Sequence, residues 1–159
     1  MRKFVVLLLA AIVLGASTKA SSEETPAPGW FLPLGINLGA AMSTSDTAFI
    51  LGGEFSAVHI DGPFWAGMFT DGLHDFSQSS NRVTAGGELG WLFLGLELGY
   101  TAELKGSELL HGPRTGALLT NGFTSGYLRW TALNSTERTH IAEVGLLIKW
   151  PFMLSEVPE

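Results

Sequence analysis

Residues 93–104 read FLGLELGYTAEL, and residues 142–152 read AEVGLLIKWPF. In the first stretch Leu94, Leu96, Leu98, Tyr100, Ala102 and Leu104 take the even positions, and Gly95, Glu97, Gly99, Thr101 and Glu103 the odd ones. In the second, Val144, Leu146, Ile148, Trp150 and Phe152 alternate with Glu143, Gly145, Leu147 and Lys149. Successive side chains of a strand point to opposite faces, so a period of two marks a strand with one apolar face. The character of the other face separates the architectures. A soluble strand offers water a row of Lys, Thr, Gln or Ser, whereas here the second face is mostly glycine with single charged or hydroxyl residues. Small residues with isolated charges suit the inside of a narrow eight-stranded barrel, where side chains must fill a confined space. The apolar face then turns outward.

Working outward from these two stretches, the same pattern recurs. Leu32, Leu34, Ile36, Leu38 and Met42 alternate with Pro33, Gly35, Asn37 and Gly39. No stretch after the first 20 residues sustains the i, i+3, i+4, i+7 spacing of an amphipathic helix. Eight strands are predicted: Trp30–Met42, Ala48–Ile60, Phe64–Thr70, Arg82–Trp91, Phe93–Leu104, Thr115–Asn121, Tyr127–Leu133 and His140–Phe152. The apolar face lies on odd residues up to Trp91 and on even residues from Leu94, so the chain must turn tightly between them. Asp61-Gly62-Pro63 and Asn121–Gly126 carry turn residues, while 70–81, 105–114 and 134–139 read as longer polar loops. Short turns at one end and longer loops at the other describe an outer-membrane barrel, with periplasmic turns and extracellular loops. The predicted class is therefore all-β, an antiparallel up-and-down transmembrane barrel of about eight strands.

The aromatic residues point the same way. With the strands placed up and down in order, Trp30, Phe31, Phe64, Trp65, Trp91, Phe93, Tyr127, Trp150 and Phe152 all fall at the short-turn end, with Phe123 in the third turn. Amphipathic aromatic rings collect where hydrocarbon meets water, so this ring is predicted as a periplasmic girdle. Phe49, Phe69 and Tyr100 are the candidates for a sparser belt at the other end.

The remainder of the chain fits export. Residues 1–20 (MRKFVVLLLAAIVLGASTKA) hold a short basic start, a 13-residue apolar run from Phe4 to Ala16, and a small, polar stretch ending at Ala20. That is the layout of a secretory signal peptide, and the run is too short to span a bilayer of about 30 Å as a helix. No Cys follows it to take a lipid anchor. Residues 21–29 (SSEETPAPG) read as a disordered lead-in, 30–152 as the barrel and 153–159 as an acidic tail. Without Arg2, Lys3 and Lys19, six Lys and Arg face fifteen Asp and Glu, a formal net charge of −9. Nucleic acid is excluded as a partner, since phosphate binding needs a basic surface. Charged residues are 15% of the chain, and cysteine is absent. A soluble surface is roughly a quarter or more charged, and small exported domains often rely on disulfides; a closed barrel facing lipid needs neither.

The second face gathers Glu54, Arg82, Glu88, Glu97, Glu103, Arg129, Glu143 and Lys149. Buried charges cannot stay unpaired, so these are predicted as an ion-pair network filling the lumen, with a gated path for small solutes as the alternative. Enzymatic chemistry is not expected. His140 has Ala142 and Arg138 two residues away, not Ser; Ser56 and His59 fall on opposite faces; and His74, Asp75 and Ser77 form only a polar cluster in a predicted loop. No His cluster has metal-ligand spacing and no glycine loop cradles phosphate, so no cofactor is expected.

The plan of 30–152 resembles the small eight-stranded outer-membrane barrels, the group that includes the transmembrane domain of outer membrane protein A and outer membrane protein X. The segments GGEFSAVHI, FWAGMFTDGLHDF, LFLGLELGYTAEL and AEVGLLIKWPF also resemble small exported proteins of myxobacterial type. The resemblance implies an outer-membrane location, a terminal aromatic strand read by the assembly machinery (here Phe152, with seven residues after it), outer-membrane lipid as surroundings, and loops that contact an extracellular ligand. Two other readings stay open: a soluble periplasmic barrel with its apolar face inward around a hydrophobic ligand, and a lipid-modifying barrel enzyme.

Overall fold

The computed structural model describes residues 28–43, 46–135 and 140–156. Eight strands follow in chain order: β1 (Gly29–Met42), β2 (Thr47–Asp61), β3 (Phe64–Asp75), β4 (Ser80–Trp91), β5 (Leu94–Lys105), β6 (Glu108–Thr120), β7 (Thr124–Ala132) and β8 (His140–Glu156). Each pairs antiparallel with the next, and β1 pairs with β8 to close the barrel. Closure removes every sheet edge, so each strand's backbone N–H and C=O groups find partners within the wall. The architecture is the all-β eight-stranded antiparallel barrel that the alternation predicts.

Polarity is arranged inside out. Met68, Leu89, Leu96, Leu98 and Leu128 are each about 60% exposed or more on the outer wall, whereas Arg82, Arg129, Glu103 and Glu143 are at most 1% exposed in the lumen. The parity read from β5 and β8 holds: Glu97, Glu103, Glu143 and Lys149 point in, and Leu96, Leu98, Trp150 and Phe152 point out. Trp91 and Leu94 are register partners across a two-residue turn, as the phase break requires. Leu92 in that turn takes a left-handed φ of 52°.

Several boundaries differ from the sequence reading. β3 continues through Asp75 and β4 begins at Ser80, and β5 and β6 are joined by Gly106 and Ser107 alone. The predicted long loops 70–81 and 105–114 are therefore mostly strand, and the contrast in loop length between the two ends is small. The reason is that lumen-facing residues are polar, so a polar stretch continues a strand as readily as it forms a loop. β8 also runs on through Glu156 instead of ending at Phe152 in a tail, with Gly29 pairing Glu156. Residues 1–20, read as the signal peptide, and 21–27 of the lead-in lie outside the described residues, while Gly29 belongs to β1.

Pro33 and Pro151 are register partners in the β1–β8 seam. Each lacks an N–H for the ladder. The Lys149 N–H points to the Phe123 carbonyl on the β7 side, so the Pro151 nitrogen two residues on faces that side too, and the β1–β2 ladder lapses at Leu32 and Pro33; the missing donors face away from the seam.

Candidate functional site

The lumen is stacked in three layers. At the loop end, Ala41, Ile50, Leu73, Leu110, Leu133 and Ile141 form one buried apolar cluster. At the turn end, Leu118, Tyr127 and Leu147 form another, with Trp65 packed against it. Asp71, Arg114 and Arg129 lie between the two clusters along their strands, whereas Arg82, Asp75, Glu103 and Glu143 are register partners of Leu73, Ile50, Leu110 and Ala41 and share the loop-end layer.

All eight residues predicted for the lumen are buried there, and the structure adds Asp71, Asp75 and Arg114. Arg129 is the hub. Its Nε lies 2.6 Å from Glu97 Oε1, its Nη2 donates to Glu54 Oε2 at 3.0 Å, its Nη1 lies 3.5 Å from Asp71, and its guanidinium stands 4.2 Å from the Tyr127 ring centre. Arg114 donates to Asp71 at 2.5 Å and to Thr84 at 3.0 Å, and lies 3.6 Å from Glu97. Lys149 Nζ reaches Glu54 at 2.8 Å, Ser56 Oγ at 3.2 Å and Glu88 at 3.5 Å. Nearer the loop end, Arg82 pairs with Glu143 and, at 4.0 Å, with Asp75, while Ser80 Oγ donates to Glu103 at 2.6 Å. Among the described residues seven carboxylates share this space with four cations. Each guanidinium therefore touches more than one carboxylate, which is how a buried interior accommodates so many charges.

The aromatic residues divide between two places. Trp30, Phe64, Trp91, Phe93, Trp150, Phe152 and Phe123 are exposed on the outer wall at the turn end. Trp65 and Tyr127 are not: both turn inward, which corrects their assignment to the ring. Trp65 Nε1 donates to the Leu92 carbonyl at 3.2 Å, and its indole lies against Gly90 and Gly95, register partners whose missing side chains make the room. Phe31 is half-buried, on the same side of β1 as Pro33. Phe69, a candidate for the outer belt, also faces inward, 5.2 Å beneath Arg114.

A side chain at Gly95 would collide with the Trp65 ring, whereas one at Gly72 would meet nothing within 4 Å. Gly95→Val is expected to expel the indole and lower stability by about 1–3 kcal/mol, with a shift in tryptophan emission. Gly72→Ala should be neutral or slightly stabilising. Denaturant titration of the folded barrel compares the two.

The four histidines all lie on the outer side, each beside an aromatic ring: His59 with Trp30, His74 with Phe76, His111 with Tyr100 and His140 with Trp130. Asp75 points into the lumen, on the face opposite His74. Ser77 instead caps the loop end through the Asp46 carboxylate. The HDFS stretch is thus a strand end, not an assembled catalytic group.

This barrel has a solved counterpart in fold. It is similar to Neisserial surface protein A. The two superpose with a TM-score of 0.51 at 14% sequence identity, over 79% of this chain and 99% of that one. At that identity the likeness establishes the shared fold. No protein-family model and no curated protein matches the sequence. The expected likeness to myxobacterial-type exported proteins finds no match in these comparisons.

Asp71, Asp75 and Arg114 escaped the sequence reading because they sat in the predicted loops. A period of two running through Phe69, Asp71, Leu73 and Asp75, and through Leu110, Gly112, Arg114, Gly116 and Leu118, was the available sign.

Proposed function

We propose that this chain is an integral outer-membrane β-barrel with a structural or surface-interacting role and no catalytic activity. The observation that carries the reading is the inverted polarity: large apolar side chains cover the outer wall while every Arg, Lys and Glu of the network is buried. In water such a wall would be an aggregation surface far beyond a normal apolar patch. In a bilayer it is the required solvent contact. The outward apolar wall also counts against a soluble barrel enclosing a hydrophobic ligand. Trp30, Phe64, Trp91, Phe93, Trp150 and Phe152 would form the periplasmic girdle, and the loop end would face outside. The fold shared with a neisserial surface protein supports the same reading. Outer-membrane lipid and the assembly machinery are its proposed partners, together with a ligand for the loops.

Expression in a Gram-negative host tests this. The protein is expected in the outer-membrane fraction, to need detergent for release, and to migrate differently on gels when heated. Recovery from the soluble periplasm without detergent would overturn the proposal. The two apolar clusters predict no unitary conductance in a planar bilayer; stable current steps would refute a closed lumen.

A further inference from the structure

The outer wall of β2, β3 and β4 carries a furrow near the loop end. Gly53 and Gly72 are register partners there, and the next residues across the sheet on either hand are Ile36 and Val83. One outward row nearer the middle of the wall, Thr70 and Ala85 are paired between Phe55 and Tyr100. All four flanking side chains are exposed. Two ridges of large side chains therefore border a floor of small ones. Neighbouring strands lie about 4.8 Å apart, so the floor is narrow. The groove over Leu51, Gly72, His74, Asn81 and Val83 measures about 320 Å³, at the lower end of the range of small-molecule sites.

A polar pair closes the furrow at the loop end. His74 and Asn81 are register partners, one residue short of the last rung of β3 and β4, where Asp75 meets Ser80. An amide oxygen only accepts, so His74 Nδ1–H donates to Asn81 Oδ1, at 2.9 Å. With Oδ1 so engaged, the NH2 group is what Asn81 offers as a donor. Phe49 and Phe76 stand beside the pair with ring centres 5.6 Å apart, and Phe76 meets His74 edge-on at 4.7 Å. Aromatic and polar side chains gathered at a strand end mark the level where hydrocarbon gives way to the polar region of a bilayer. The furrow runs from that level toward the middle of the wall.

We infer that this furrow binds one acyl chain of an outer-leaflet lipid, with the ester carbonyl of that chain accepting from Asn81 Nδ2. A single hydrocarbon chain fits between the ridges. The convex wall of a second barrel does not, because Ile36 and Phe55 on one side and Val83 and Tyr100 on the other would hold it off the floor. Contact of the CH2 groups with the ridges supplies affinity, and the polar pair fixes which end of the chain points outward. An ester carbonyl lies where the chains begin, between hydrocarbon and headgroup, which is the level of the pair. This inference rests on the reading of the barrel as a membrane protein.

The test is native mass spectrometry of the detergent-purified protein titrated with dimyristoylphosphatidylcholine and, separately, with its ether-linked counterpart, which keeps the headgroup and chain length but lacks the ester carbonyls. Wild-type protein is expected to retain one ester lipid and to hold it about threefold more tightly than the ether lipid. A Cβ at Gly72, or at Gly126 on β7, meets nothing within 4 Å, so either position takes a side chain without straining the barrel. Gly72→Leu fills the furrow and should weaken retention of both lipids about three- to tenfold, the equivalent of about one or two CH2 groups losing contact. Gly126→Leu should leave retention unchanged. Asn81→Ala should abolish the preference for the ester lipid. Retention by Gly72→Leu equal to wild type, or a loss matched by Gly126→Leu, overturns the inference, as does an equal hold of wild-type protein on ester and ether lipids. A wild-type dimer that Gly72→Leu dissociates would overturn it in favour of a second copy of the chain. Heat-dependent gel migration of each variant reports whether the barrel itself has formed, so failure of the membrane reading is seen separately.

Discussion

Arg129→Ala is expected to lower the stability of the folded barrel by about 3–5 kcal/mol, the usual cost of deleting one member of a buried charge cluster. Among the described residues the guanidinium is the one group that touches Glu54, Asp71 and Glu97 together. Removing it leaves those carboxylates in a space where the described lumen already holds seven acids against four cations. The apolar clusters at either end limit the water that could replace it. Arg129→Lys should recover part of the loss. It restores the charge but cannot offer several donors in fixed directions at once. A triple variant that also changes Glu54 and Glu97 to Gln should be milder than Arg129→Ala alone, since the stranded charges are what cost most. Urea unfolding in lipid vesicles, followed by heat-dependent gel migration, measures all three. A loss below about 1 kcal/mol for Arg129→Ala would mean that the lumen is wet and its charges hydrated.

The same network shows where sequence reading works in a barrel and where it stops. β5 and β8 were legible because a large apolar residue occupies nearly every second position, which fixed the inward parity of Glu97, Glu103, Glu143 and Lys149. The turn at Leu92 was legible from the phase change alone. Asp71, Asp75 and Arg114 were hidden because a lumen-lining strand is as polar as a loop, so 70–81 and 105–114 read as polar loops. What reveals them is the partner strand: Tyr100 pairs with Pro113, so β6 is already in the wall there. The inward turn of Trp65 was equally hidden. An aromatic residue near a strand end looks the same whether it anchors the outer wall or plugs the mouth, and the space for its indole comes from Gly90 and Gly95 on two neighbouring strands. Tyr100, His111 and Asn134 come from three separate segments, so no local pattern could announce their side-chain contacts.

Leu98→Arg separates a membrane barrel from a soluble one more sharply than any change in the lumen. Leu98 is 67% exposed near the middle of β5, so it packs little against the rest of the protein. For a protein surrounded by water, a substitution at such a site should change stability by no more than about 0.5 kcal/mol. For a barrel in a bilayer, an arginine near the midplane costs about 2–4 kcal/mol and declines toward either interface. The two surroundings thus predict different results for the same exposed residue. The adjacent inward residue supplies the contrast. Glu97→Gln retains acceptor and hydrogen-bonding capacity beside Arg114 and Arg129, and Asp71 and Glu54 remain to pair with those two guanidiniums. It should therefore be milder than Leu98→Arg, although Glu97 is 2% exposed and Leu98 lies mostly on the surface. Ordinarily a buried charge is the more sensitive site, so a reversal of that order points to lipid as the solvent of the outer wall. Folding each variant into vesicles and reading the unfolding midpoint decides it. Tolerance of Leu98→Arg equal to or greater than that of Glu97→Gln would remove the bilayer from the account.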